Sequence, residues 1–423
     1  MTGTTDDSWR YRSPQTLAGA LQHGLGRGAY EAMFDPAGPE LVADCLRRDY
    51  RWDRGVDERE IYLARLVRDL RMPIEQVSAV LFGAPARDAD RDHAFATVLG
   101  VLEVLGRAGV DGAAEEVRRY IAEGDRWLEA LDTVAGLWPP ERWDGLYPVV
   151  LGRLDEAVRE DAVWRGLPWS RWADHDPRIA AAIRAVEARA RPVVRRFSDE
   201  SDAVLLAILA EPARAGDWDP ALRELNRRPP DPHLIDLVDS MLAGSREAVL
   251  QSSVPLGMAL DRLGPHAVPV ARRWTADPDD PLRWTAFRLL AAHGDATDAP
   301  LLVAGLDWLD SRADDRCGYD ELVTGLARIG GPAAATALPR LRRLWFSPHS
   351  YERPAYLRAL VALDPAGAER LVVEGLWDCE TDVRLLAAER APLTDRTRER
   401  LRYLRDDPIE AQNVRAVAAA RLE

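Results

Sequence analysis

An all-α solenoid of antiparallel helix pairs, stacked side by side in one or two lobes, is the fold class this chain predicts. Three observations carry it. Apolar residues recur at helical spacing along the chain, and no segment sustains the two-residue alternation of a strand. The 423 residues exceed one compact core, yet suit an array in which each unit buries itself against its neighbours. From residue 277 onward, one design recurs: a helix of small and branched apolar residues, a Gly or Pro break, then a second apolar helix. Clear copies are Leu282-Arg-Trp-Thr-Ala-Phe-Arg-Leu-Leu-Ala-Ala-His-Gly294, Glu321-Leu-Val-Thr-Gly-Leu-Ala-Arg-Ile-Gly-Gly331 and Tyr356-Leu-Arg-Ala-Leu-Val-Ala-Leu-Asp-Pro365. Their matching leucines, Leu290, Leu326 and Leu360, stand 36 and 34 residues apart, the length of one helix-turn-helix unit.

In chain order, residues 1–8 are polar and expected to be loose. Gly24-Leu-Gly-Arg-Gly28 resembles part of a phosphate-binding turn, but no strand precedes it and its third glycine is misplaced, so it reads as a turn between helices. Residues 57–71 put Leu63, Leu66, Val67 and Leu70 on one stripe, with Asp57 and Glu60 as a capping box and arginines in the last turn. Pro73 opens the next helix through Ile74, Val77, Val80 and Leu81. Residues 92–109 carry Phe95, Val98, Leu99, Val101, Leu102 and Leu105 as a buried inner helix, partnered by 113–124. Residues 126–137 pair with 140–154 across Trp138-Pro139-Pro140. The pattern lapses around Trp164, Pro168, Trp169 and Trp172 before a helix over 178–191, and 226–232 marks another loop. This predicts an irregular N-terminal helical lobe (1–165), a junction (166–200) and a C-terminal repeat array (201–423).

Composition narrows the function. A net charge of -14 repels phosphate polymers and anionic bilayers, which disfavours nucleic acid and membrane partners. The chain starts without a basic stretch leading into an apolar core, and no apolar run approaches the roughly 20 residues of a membrane span, so a cytoplasmic protein is expected. Cys45, Cys317 and Cys379 are scattered and odd in number, as free thiols would be, and no Cys-x-x-Cys pair offers a usual zinc site. All basic side chains are arginine. That fits GC-rich coding or selection against lysine chemistry, and it closes Schiff-base and phosphate-loop-lysine mechanisms.

Catalytic and metal motifs are not apparent. Arg87-Asp-Ala-Asp-Arg-Asp-His93 opens like a calcium loop, but has His93 where glycine belongs and Leu99 where the closing glutamate belongs. The seven histidines never fall two to one helical face, and neither His-Glu-x-x-His nor Gly-x-Ser-x-Gly occurs. No cofactor, metal or catalytic residue is therefore assigned. The 14 tryptophans are more informative, because several adjoin arginine, and Trp and Arg are enriched at binding hot spots. Indoles filling gaps between helix pairs, with arginines reaching solvent, would give the same pattern. Two basic clusters stand out: Arg184, Arg189, Arg191, Arg195 and Arg196, and Arg340, Arg342 and Arg343 beside Trp345. An exposed, neighbour-balanced helix face is the plain reading of such clusters; docking an acidic segment is the functional one.

Two segments, Asp279-Asp-Pro-Leu-Arg-Trp-Thr-Ala-Phe-Arg-Leu-Leu-Ala-Ala and Glu380-Thr-Asp-Val-Arg-Leu-Leu-Ala-Ala, resemble HEAT repeats. The resemblance is to the subgroup similar to phycobilisome-lyase repeats: an acidic turn, then a small-residue helix with an early arginine. The likeness is best over the last 150 residues or so, and the chain also looks like helical-repeat proteins of high-GC bacteria. It implies architecture rather than activity. The expected function is a non-catalytic scaffold or adaptor that binds another protein on a concave face, with Trp274, Arg283, Trp284, Arg340, Arg343 and Trp345 as contact residues. The alternatives are a HEAT-like DNA glycosylase or other nucleic-acid binder, and a lyase or lyase chaperone similar to bilin-attaching repeat proteins.

Overall fold

The computed structural model describes residues 11–83, 89–160, 162–189, 196–312 and 317–423, with only the backbone of 89–93. The polar start at 1–8, the acidic run of 87–93, Arg191 and Arg195 lie outside the described residues or side chains. Every regular element among the described residues is helical, with no strand. No described helix is long and apolar enough to cross a membrane.

Apolar periodicity set the helices where expected, and local chemistry set their ends. Glu60–Asp69 buries Leu63, Leu66 and Val67 on its inner stripe. Its N-cap is Arg59, two residues past the proposed Asp57, because Asp57 does not cap it: that carboxylate accepts hydrogen bonds from His349 Nδ1 and the Tyr351 amide. Likewise Glu380 makes no cap for Thr381–Arg390, whose first amide donates to Glu58 Oε2 at 2.9 Å. Ala113–Glu123 and Trp127–Leu137 match their expected spans. The segment after Pro139 is broken into Pro140–Trp143, Tyr147–Leu151 and Leu154–Arg159 rather than one helix. Gly330 ends Tyr319–Ile329 at φ 69°, a left-handed turn that a side chain would strain.

The chain forms two compact units, and their boundaries differ from a simple division along the sequence. Unit 1 contains Met1–Pro192, Phe346–Pro354 and Glu369–Glu423; unit 2 contains Val193–Trp345 and Ala355–Ala368. The segment 369–423 thus packs with the N-terminal helices, whereas the sequence pattern grouped it with 201–368. In unit 1, Glu60–Asp69 packs on Ala89–Arg107, which packs on Ala113–Glu123, and Thr381–Arg390 packs on Gln412–Ala420. In unit 2, Trp218–Leu225, Ser253–Asp261, Arg283–His293 and Tyr319–Ile329 form a row in which each helix packs on the next.

Arginine ties helix ends together within each unit. Arg142 donates to the carbonyls of Gly106 and Arg107, and Arg153 to those of Ile121 and Gly124. Arg262 reaches the carbonyls of Leu225, Asn226 and Arg228. Arg328 reaches Leu290, Ala291 and Gly294, and Arg421 reaches Ala388, Glu389 and Ala391. Each target is a helix C-terminus, where carbonyls lack intrahelical partners and a cation meets the negative end of the dipole. The sequence separations run from 29 to 38 residues. A forked guanidinium can satisfy two or three carbonyls at once, for which the compact ammonium of lysine is poorly shaped.

Candidate binding surface

The six residues expected to make contacts all lie in unit 2, but the structure gives them different roles. Trp274 and Trp345 are 3% and 0% exposed, so their indoles fill the interior and offer no surface. This corrects the sequence reading, and its cause is simple: on a helix of 3.6 residues per turn, successive side chains point about 100° apart, so an arginine can face water while the next tryptophan faces in. Arg283 and Trp284 are half-buried in an aromatic cluster, with Trp284 stacked on Trp308 at 6.2 Å and Arg283 lying over Phe287 and Trp308. Arg340 pairs with Asp307 and with Asp310 at 3.1 Å, which neutralises much of the expected basic cluster; Arg342 pairs with Asp364. Arg343 is exposed.

Unit 1 holds a buried polar network that no local motif announced. Asp57 Oδ1 accepts from His349 Nδ1 at 2.7 Å, while Arg59 Nη1 donates to Ser350 Oγ at 2.7 Å and approaches Cys379 Sγ at 2.8 Å. Arg384, the early arginine of the repeat-like segment, pairs with Glu410 through both Nε and Nη2 at 3.0 Å. Arg65 joins the same Glu410 and also Asp407, each at 2.7 Å. Burial pushes the Glu380 carboxyl up to about 7, against the charges of Arg59 and Arg353. Burial also pushes the Cys379 thiol far above its ordinary value, despite the same two arginines, so it stays protonated.

This network resembles hydrolase machinery only in composition. Ser350 Oγ donates to Glu380 Oε1 rather than to His349, so the nucleophile-to-base contact of a triad is missing. Among the described residues, no group of three or more His, Cys, Asp or Glu side chains could hold a metal ion. The role of the network is to join segments: it connects residues 57–68 to 349–353 and 378–410 within unit 1.

That junction builds an exposed aromatic surface. The helix Gly26–Ala32 comes so close to the Glu374 carbonyl that a Cβ on Gly26 would lie 2.0 Å from it. The Cys379 amide donates to the Gly24 carbonyl at 3.1 Å. Tyr30 consequently packs edge-on against Trp377 at 5.5 Å and tilts against Phe34 at 5.2 Å. Arg396, on the helix Asp395–Asp406, lies over Tyr30 at 4.0 Å and over Trp377 at 5.3 Å. Phe34 is 75% exposed, Met33 beside it 41%, and Leu393 ahead of the arginine helix 39%. Trp, Tyr, Phe, Met and Arg are the residue types enriched in protein interfaces.

A concavity of unit 1, about 850 Å³, is lined by Val77, Leu81, Phe95 and Tyr120. Glu40 and Arg126 also line it.

Fold and surface together define a class: an all-helical protein whose arginines bridge helix ends and in which an exposed phenylalanine and two half-buried rings gather beside an arginine helix. No family model, no curated protein and no solved structure matches the chain.

Proposed function

We propose that the chain is a non-catalytic helical-repeat scaffold, its antiparallel helix pairs stacked as HEAT-like repeats, that binds another protein in the cytoplasm. The observation that carries the binding role is the Tyr30, Phe34, Trp377 and Arg396 surface, in which Phe34 is exposed beside two half-buried rings that lie under the Arg396 guanidinium. Support for the repeat architecture comes from the arginine-to-carbonyl contacts, whose spacing of 29 to 38 residues brackets the 36- and 34-residue leucine period. The three free cysteines fit a reducing compartment. The nucleic-acid alternative calls for a continuous basic groove, and the arginines best placed for one, Arg340 and Arg342, are balanced by aspartates.

Affinity purification after mild crosslinking in the source cells tests the proposal, comparing the wild-type chain with a Phe34→Ser, Arg396→Glu variant. A stoichiometric protein that accompanies the wild type and is lost with the variant is the expected result. No stoichiometric protein with either chain, or a co-eluting small molecule instead, would overturn it.

A further inference from the structure

We infer that the Tyr30, Phe34 and Trp377 surface accepts an acidic segment of a partner protein, anchored by an apolar or aromatic side chain on Phe34 and held by a carboxylate on Arg396. This rests on the protein-binding reading above and names the chemistry of the partner.

Arg396 is the reason for choosing acid. It is exposed, lies over two rings and forms no hydrogen bond or ion pair among the described residues, even though Asp395 and Glu399 share its helix. Several other exposed arginines of the chain are paired, Arg273 with Asp239, Arg288 with Glu321 and Arg342 with Asp364, and what sets Arg396 apart is its place over two rings. The helix Asp395–Asp406 carries five arginines against three carboxylates, the reverse of a chain whose net charge is -14. On it, Arg398 and Arg402 also make no ion pair among the described residues. Beneath Trp377 lies a further guanidinium, Arg400, 5.0 Å from the ring; it is buried, and burial lowers its pKa to about 10. A guanidinium held against ring faces is pre-oriented, so little side-chain entropy is lost when a carboxylate takes its fork.

Geometry sets the spacing of the ligand. Phe34 lies 5.2 Å from Tyr30, and Arg396 lies 4.0 Å from Tyr30 on their ring centres. An anchor on Phe34 and a carboxylate on Arg396 are therefore bridged by at most about three extended residues. The acids flanking Phe34 in sequence, Glu31 and Asp35, disfavour a second carboxylate on the far side of the anchor.

The test is fluorescence anisotropy with the full chain and three fluorescein-labelled peptides of equal length. One has Phe and Leu with Asp or Glu one to three residues away; in the second, serine replaces the apolar residues; in the third, arginine replaces the acids. The first peptide alone is expected to bind, more weakly as salt rises. Arg396→Glu and Phe34→Ser should each weaken it by more than about tenfold, whereas Arg273→Glu in unit 2 should leave it unchanged. Arg396→Gln serves as a milder variant if charge reversal disturbs the fold. Equal binding of the basic peptide, or binding indifferent to Arg396→Glu and Arg396→Gln, would remove the acidic specificity while leaving a protein-binding surface. Binding of no peptide, or binding indifferent to Phe34→Ser, would remove the inference; if the crosslinked protein is still lost with the double variant, the scaffold reading survives it.

Discussion

Unit 1 buries five arginines, Arg59, Arg65, Arg353, Arg384 and Arg400, whereas the buried polar residues of unit 2 are Glu224, Ser252, Thr275, Thr285 and Asp298, with no cation among those described. In unit 2, arginines such as Arg273 and Arg288 stay at the surface in ion pairs. The row of leucine- and alanine-rich helices there packs through apolar faces that follow one another in sequence. Unit 1 instead joins segments from opposite ends of the chain, and it does so with charge. An apolar contact tolerates sliding; a buried guanidinium needs its carboxylate in one place, or the unpaired charge is costly. The difference teaches that charge selects which segments meet, and that the Tyr30 and Trp377 surface exists because they do.

Breaking one buried partner should have the largest effect. Glu410 serves both Arg65 and Arg384, so Glu410→Leu strands the buried Arg384 cation, leaves Arg65 with Asp407 alone, and is expected to cost about 3–5 kcal/mol, read as denaturant unfolding of unit 1. Pairing it with Arg384→Met should recover part of the loss. A single variant as stable as wild type would mean the network is decoration.

Leu326→Ala probes the other unit. Leu326 is fully buried in the row of unit 2, and its truncation is expected to cost about 2–5 kcal/mol without changing hydrogen exchange in unit 1. Loss of protection in both units together would contradict their separate cohesion.

The pH response should differ in the same way. The folded-state pKa of Glu380 is raised by burial to about 7, so its contribution is complete below the ordinary value of 4.5 and is lost as pH rises through 7. His349 acts in the same sense: the hydrogen bond and charge of Asp57 outweigh burial and raise it, so its contribution fades above the ordinary histidine range. Asp57 and Glu410 act at the acid end. Both are held down to about 2, against burial, chiefly by His349 and Arg59 for Asp57, and by Arg384 and Arg65 for Glu410. Their contribution is present above about pH 4 and is lost as pH falls toward 2. Unit 1 should therefore weaken between pH 5 and 8, and Glu380→Gln should flatten that slope. A slope the variant leaves intact would assign it to other groups.

Arg273→Ala should do least. Its pair with Asp239 is exposed on both sides, and such pairs contribute under about 1 kcal/mol. A larger loss would show that the surface pairs of unit 2 also bear stability.

Much of the helical content was legible because its cause is local. Leu63, Leu66 and Val67 declare a buried stripe within one turn of each other, and Gly330 declares its turn. Asp57 was misread for the same reason: beside a helix start, a carboxylate reads as a cap, yet its partner His349 is 292 residues away. Trp274 and Trp345 read as contacts through neighbouring arginines, but adjacency along a chain does not say which face a side chain takes. The exposed surface had no sequence signal at all, because Phe34 and Trp377 come from opposite ends of the chain and are brought together by Gly26 against Glu374 and by the buried charges.

Hydrogen exchange of the full chain, with and without the acidic peptide, tests the central claim most directly. Protection should rise in Gly26–Ala32 and Asp395–Asp406 and in no helix of unit 2. Protection confined to Arg283–His293 or Leu338–Leu344, or absent throughout at saturating peptide, would place binding elsewhere and contradict the account.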